Sequence, residues 1–110
     1  MTNAKTDGAI TTTISANTTY DFELPTYGNQ YTIGWVIPAG ITAGTFTYSA
    51  RALGSETYEA VVDSSDVQIT MDVTSPEALK IVDTVCDSLR VTVSGIAGSG
   101  DVICTPTVVN

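Results

Sequence analysis

The sequence predicts an all-β, single-domain antiparallel β-sandwich, jelly-roll-like, of about eight strands. Three observations carry that expectation. The stretch Gly44 to Leu53 alternates strictly, with Phe46, Tyr48, Ala50 and Ala52 on one face and Thr45, Thr47, Ser49 and Arg51 on the other. Successive side chains of a strand point to opposite sides of a sheet, so period two marks a half-buried antiparallel strand. Hydrophobic residues make up 43% of the 110-residue chain and charged ones 15%, with Thr and Ser in the polar places. Such a composition suits pleated surfaces, because Thr is β-branched and tolerates partial burial. Turn signals recur every ~8–12 residues, the spacing of sandwiches and jelly rolls.

Residues 1–8 are expected as a flexible N-terminal arm, or as an arm that orders on a partner, and residues 9–110 as the sandwich domain. Ile10 to Ile14 is a short Thr-rich strand. Tyr20 to Leu24 alternates aromatic and aliphatic residues against Asp21 and Glu23, and Pro25 ends it because proline lacks the backbone donor. Gly28-Asn29 reads as a turn. Tyr31 to Ile37 sets Tyr31, Ile33, Trp35 and Ile37 against Thr32, Gly34 and Val36, the pattern of a central strand, and Pro38 to Gly44 reads as a loop around Ile41.

After the Gly44 strand, Gly54-Ser55-Glu56 has the length of a hairpin connection into Thr57 to Val62, where Tyr58, Ala60 and Val62 share a face. Asp63-Ser64-Ser65-Asp66 is a tight polar turn, followed by an inward row of Val67, Ile69, Met71 and Val73. Pro76 to Asp83 fits either a helix, from its Ser-Pro-Glu start, or a strand; a short strand or a single helical turn is favoured over a full helix. Leu89, Val91 and Val93 form a firm strand against Arg90, Thr92 and Ser94. Gly95 to Gly100 reads as a flexible turn into the last strand, Asp101 to Val109. The expected core anchors are Trp35, Phe46, Tyr48, Ile69 and Val91. For Trp35, a ligand-stacking role is the alternative.

Twelve acidic and four basic residues give a net charge of −8. That balance repels nucleic-acid phosphates, which are bound by Lys and Arg, and it disfavours anionic membrane surfaces. No apolar run approaches the ~20 residues that span a bilayer. The opening MTNAKTDGAITTT lacks the apolar stretch of a secretory signal, so synthesis in a cytoplasm is expected. In that setting Cys86 and Cys104 are expected as buried free thiols, with a disulfide as the alternative. The glycosylation acceptor pattern at Asn17-Thr18-Thr19 means little without a secretory context.

The chain has no histidine, which removes Ser-His-Asp triads, Cys-His pairs and histidine metal sites. Two cysteines fall short of the four ligands of a structural zinc site. Gly95 to Gly100 lacks the Gly-Lys-Ser/Thr ending of a phosphate loop. Carboxylates remain: Glu56, Glu59, Asp63 and Asp66 gather near one hairpin end. A loop calcium site from Asp63 and Asp66 is conceivable, against the plainer reading of a solvated turn. The expectation is therefore a protein that is not an enzyme and holds no cofactor or metal.

The stretch from Trp35 to Gly95 resembles small β-sandwich proteins from the structural gene blocks of tailed phages. The matching pieces are the strand ending in Pro38-Ala39, Gly44-Thr45-Phe46, the Ser55-Glu56-Thr57-Tyr58 hairpin, the Asp63-Ser64-Ser65-Asp66 turn, and Asp87-Ser88-Leu89-Arg90-Val91-Thr92-Val93-Ser94-Gly95. The resemblance covers rather more than half the chain and carries no catalytic residues. It implies a virion component on the capsid exterior that decorates or cements the lattice. Its partners would be the major capsid protein or another virion protein and further copies of itself, a trimer being favoured. Lys5, Arg51 and Arg90 are the candidate partner contacts; for the two arginines, cross-strand pairing within the sheet is the plainer alternative. A second functional expectation is a carbohydrate-binding sandwich of a tail or fibre, with Tyr20, Tyr27, Tyr31 and Trp35 as the stacking rings.

Overall fold

The computed structural model describes residues 4–6, 9–24, 31–52, 54–81 and 86–109. They form ten strands: β1 (Ala4–Thr6), β2 (Ile10–Ile14), β3 (Thr19–Glu23), β4 (Tyr31–Val36), β5 (Ile41–Ala52), β6 (Tyr58–Ala60), β7 (Thr70–Asp72), β8 (Leu79–Ile81), β9 (Cys86–Gly98) and β10 (Gly100–Val109). No helix among the described residues is long and apolar enough to cross a membrane.

The strands pair, all antiparallel, into two sheets. In the first, β1 and β2 lie end to end along one side of β10, followed by β4 and β8. In the second, β3, β9 and β5 run in order, and β6 and β7 lie end to end along the far side of β5. When β1–β2 and β6–β7 are each taken as one interrupted passage, eight passages remain, ordered 1-8-3-6 and 2-7-4-5. That is the jelly-roll order of two four-lane sheets. Every connection between these passages but that from β5 to β6 carries the chain from one sheet to the other.

Alternation puts one row of each strand between the sheets. From the first sheet come Ile14, Tyr31, Ile33, Leu79, Val102 and Cys104; from the second, Phe22, Phe46, Tyr48, Met71, Leu89, Val91 and Val93. Trp35 joins the two. Its indole, on β4, meets Phe22 edge-on at 5.4 Å, Phe46 at 5.7 Å and Tyr48 stacked at 5.7 Å, all three from the opposite sheet. Ile69 is half-buried against the same cluster. Tyr31 adds a polar tie, donating its hydroxyl to the carbonyl of Cys86 on the second sheet at 3.0 Å.

Several elements differ from the sequence reading. Gly95 to Gly100 is not a flexible turn: β9 continues to Gly98, with Ile41 opposite Gly98 and Ala43 opposite Ala97, and Ser99 alone separates it from β10. The chain changes sheets there, with Gly98 at φ 86 and the Ser99 N–H donating to the Gly40 carbonyl at 3.2 Å. A Cβ on Gly98 would run into that same carbonyl oxygen, so only glycine fits. The pairing with β9 also draws Ile41 into β5 as a buried residue instead of leaving it in a loop.

The row expected from Val67 to Val73 begins later. β7 spans Thr70–Asp72, and Val67 is 59% exposed. The cause is an excursion between β6 and β7: Val61 N–H donates to the Tyr48 carbonyl at 3.1 Å and Tyr48 N–H to the Ile69 carbonyl at 3.2 Å, so residues 62–68 leave the sheet edge as a small hairpin. Tyr58 faces outward, because it lies opposite Arg51 of the outer row. Of the Pro76–Asp83 stretch, Leu79–Ile81 is a strand, and residues 82–83 lie outside the described residues. Of the expected arm 1–8, Ala4–Thr6 pair with β10, Thr6 opposite Thr107. Leu53 and the Gly28-Asn29 turn lie outside the described residues.

Candidate functional site

The outer face of the second sheet is an ordered array of polar side chains. Register sets Thr19, Thr92, Thr47 and Thr70 in one row across all four lanes. The next row is Asp21, Arg90, Ser49 and Ala60, and beyond it Glu23, Ser88, Arg51 and Tyr58. Each of these residues is fixed by a backbone ladder on at least one side, so the rows are rigid to the extent that the sheet is.

Both arginines sit on this face, as alternation predicts, and both are held within it. Arg90 donates from Nε to Asp21 Oδ1 at 2.8 Å and from Nη2 to Asp21 Oδ2 at 3.1 Å. This two-point geometry suits a planar guanidinium facing a carboxylate. Arg51 donates from Nε to Asp87 Oδ1 at 2.9 Å. Asp87 reaches it through a β-bulge: Ala52 pairs with Cys86 and Arg51 with Ser88, leaving Asp87 as the extra residue, re-aimed toward the outer face. The hydrogen bond from Arg90 holds the Asp21 carboxyl below the usual carboxylate range, and the bond to Asp87 raises Arg51 further above neutrality.

Tyr58 covers the centre of this charge cluster. Its ring lies 3.8 Å from the Arg90 guanidinium carbon and 5.4 Å from that of Arg51, within the range of cation–π attraction. Its hydroxyl meets Ser88 Oγ at 2.7 Å. Ser88 is an outward-facing residue, yet it is 0% exposed, because Tyr58 lies over it. Lys5, the third candidate contact, lies on β1 opposite Val108.

Sequence reasoning named the two arginines and missed Asp21, Asp87, Ser88 and Tyr58. Asp21 and Arg90 each lie on the polar side of an alternating strand, and knowledge of the β3–β9 register would have joined them. The bulge that turns Asp87 has no comparable signal in the sequence.

The first sheet's outer face is different. Thr11 and Thr13 of β2, Ile103, Thr105 and Thr107 of β10, Thr32, Gly34 and Val36 of β4 and Lys80 of β8 occupy it. Val36 is 58% exposed. Asp101 accepts a hydrogen bond from Thr13 Oγ1 at 2.6 Å.

The rings proposed for sugar stacking are engaged elsewhere. Tyr31 is buried, Trp35 is spent on the core, and Tyr20 is half-buried with its hydroxyl accepting from the Ser15 and Ala16 amides at 3.2 and 3.3 Å. Tyr27 lies outside the described residues. At the hairpin tip, Asp63 Oδ1 accepts from the Ser65 and Val67 amides at 2.8 and 3.1 Å, a turn-forming role. Among the described residues no group of three or more Cys, Asp or Glu is placed to hold a metal ion. Asn17 of the glycosylation pattern accepts from the Ile96 amide at 2.9 Å.

Cys86 and Cys104 are free and buried, and burial pushes their thiols up to about 11 and about 12. Such thiols stay protonated and are poor nucleophiles at neutral pH.

No family model matches the chain, and no match is found among curated proteins or solved structures.

Proposed function

We propose that this protein is a non-enzymatic virion structural component that binds the assembled head of a tailed phage and stabilises it as a decoration or cement protein. The observation that supports the reading best is the pair of broad outer faces, rich in hydroxyls, with the arginines of one of them already bound to its own carboxylates. Faces of this kind offer many modest contacts to a flat neighbour without the cost of stripping water from unpaired charges. Repetition over a shell multiplies weak contacts into stable coating. The net charge of −8 keeps such a coat from the packaged nucleic acid.

The test is direct. Heads of the encoding phage, assembled without this protein, are mixed with the purified chain, sedimented, and imaged. Saturable co-sedimentation with density at a repeated lattice position is the expected result. A chain that remains in the supernatant with heads and with tails alike overturns the proposal.

A further inference from the structure

Four strand edges bound the two sheets, and three of them carry features that discourage pairing with another chain. The β3 edge bears Asp21 and Glu23. The β6–β7 edge is interrupted by the excursion of residues 62–68. The β8 edge is three residues long and bears Lys80. Charges, interruptions and short length are the usual means by which proteins keep sheet edges from pairing with one another.

The fourth edge, β1–β2, is also interrupted and carries Lys5 on β1, but its five-residue β2 part has none of these features. β2 reads Ile10-Thr11-Thr12-Thr13-Ile14: five β-branched residues with no charge and no proline. It pairs with β10 in unbroken register from Cys104 opposite Ile10 to Gly100 opposite Ile14. Among the described residues no strand pairs with its other side. A straight, uncharged edge with strong strand propensity is a template for an added strand.

We propose that this edge takes the β2 strand of a second copy of the chain, antiparallel, about a twofold axis through Thr12. The sequence of the strand is its own reverse. In that register Ile10 faces Ile14 of the second copy, Thr11 faces Thr13, and Thr12 faces Thr12. Every cross-strand pair is then between like residues, β-branched against β-branched or hydroxyl against hydroxyl, pairings that stabilise antiparallel sheets. A twofold interface requires a patch that complements itself, and a palindromic strand meets that requirement without any other residue. Pairing would join the first sheets of both copies into one continuous sheet.

Electrostatics permit this despite the net charge of −8. The nearest charged residue on the adjacent strand is Asp101, opposite Thr13. Across the junction β10-β2-β2-β10 the two Asp101 lanes are three strand spacings apart, about 14 Å. That exceeds the Debye length of about 8 Å at physiological salt. Five residue pairs make a small interface, so association is weak and concentration-dependent in dilute solution and is favoured by added salt. A twofold pair would stand in place of the trimer implied by the resemblance. It is a property of the free chain, whatever surface the chain coats.

Sedimentation of the full chain from about 10 μM to about 1 mM gives the first readout. The expected result is a rise from the 11.5 kDa monomer toward twice that mass. The double variants T11E/T13E and T11K/T13K put like charges opposite each other across the axis, and each is expected to weaken association at least ~10-fold while melting as a folded protein. Their equimolar mixture restores dimers, because Glu then faces Lys. In a third arm, T12C cross-links into a disulfide dimer under mild oxidation, faster than T11C, whose partner position is residue 13 of the other copy. The proposal is overturned if the wild type stays monomeric throughout, if its oligomer survives in both charged variants, or if the mixed variants fail to recover it.

Discussion

On the outer face of the β3-β9-β5-β6/β7 sheet, Asp21 pairs with Arg90 and Asp87 with Arg51, and the ring of Tyr58 lies against both guanidinium groups. The outer face of the β2-β10-β4-β8 sheet carries Thr11, Thr13, Thr32, Thr105 and Thr107 around Ile103 and Val36, with Lys80 and Asp101 toward its margins. The inner faces of the two sheets are alike: both are aliphatic and aromatic rows, and Trp35 belongs to the packing of both. The difference lies in how each sheet satisfies its polar side. The second sheet answers charge with charge inside its own lattice, while the first keeps charge to its margins and presents mainly hydroxyls. A face of the first kind gains order; a face of the second kind gains freedom to pack, because a hydroxyl costs less to desolvate than an ion.

The largest effect is expected where the two sheets depend on the same residue. Replacing Trp35 with Ala removes contacts to Phe22, Phe46 and Tyr48 at once. A loss of about 3–5 kcal/mol is expected, a large share of the ~5–15 kcal/mol that holds a domain together. Chemical denaturation followed by fluorescence of the remaining tyrosines or by circular dichroism measures it. Trp35→Phe is expected to lose less, since it retains a ring and removes the buried indole N–H, which has no hydrogen-bond partner among the described residues. Equal losses for the two variants would show that the ring contacts do not couple the sheets.

Per pH unit, a smaller effect is an alkaline one shared by both sheets. Cys86 lies on β9 and Cys104 on β10, and burial raises both thiols, to about 11 and about 12. In an unfolded chain they ionise near pH 8.5. Their contribution is therefore complete below that value and is lost as pH rises toward the folded values. The expected slope is about 1.4 kcal/mol per pH unit for each thiol. Cys86→Ala with Cys104→Ala lowers stability at pH 7 through lost packing but flattens this fall above pH 9. If the fall keeps its slope in the double variant, another group titrates there, Tyr48 being the first candidate, since burial raises its hydroxyl too.

How far each face was legible in advance follows from the same contrast. Alternation along Gly44 to Leu53 and along Leu89 to Ser94 carried the polar rows of β5 and β9, because period two needs no partner strand to be read. Trp35, Phe46, Tyr48 and Val91 are legible as core residues for the same reason. What stayed hidden depends on register or on departures from regularity. The β-bulge that turns Asp87 toward Arg51 and the excursion that exposes Val62 and Val67 are set by what lies across the strand. The pattern places Tyr58 on one face with Ala60 and Val62, and its outward direction follows only from its pairing with Arg51. The crossing at Ser99 reads as a turn in the sequence because glycines mark close backbone approach and turns alike.

The smallest expected effect separates the two outer faces. Asp21 is held below the usual carboxylate range, first by the hydrogen bond from Arg90. A carboxyl whose folded pKa is depressed contributes stability that is present above its unfolded value and lost as pH falls through the folded one. The charged face should therefore weaken below about pH 4, the unfolded carboxylate range. In Asp21→Asn the step contributed by this residue disappears, so the variant's stability changes less between pH 5 and pH 3 than that of the wild type. Both partners are partly exposed, with side-chain accessibilities of 35% and 42%, so water screens the pair and the effect falls well below that of the thiols. Arg90→Lys divides the contribution further: it keeps the charge but loses the two-point bond and the flat contact with Tyr58. Thr105→Val on the opposite face serves as the reference, because it adds and removes no titrating group and must leave the acid limb of the stability curve unmoved. If Asp21→Asn and Thr105→Val give the same acid limb, the ion pairs of the second sheet order its surface without stabilising the fold.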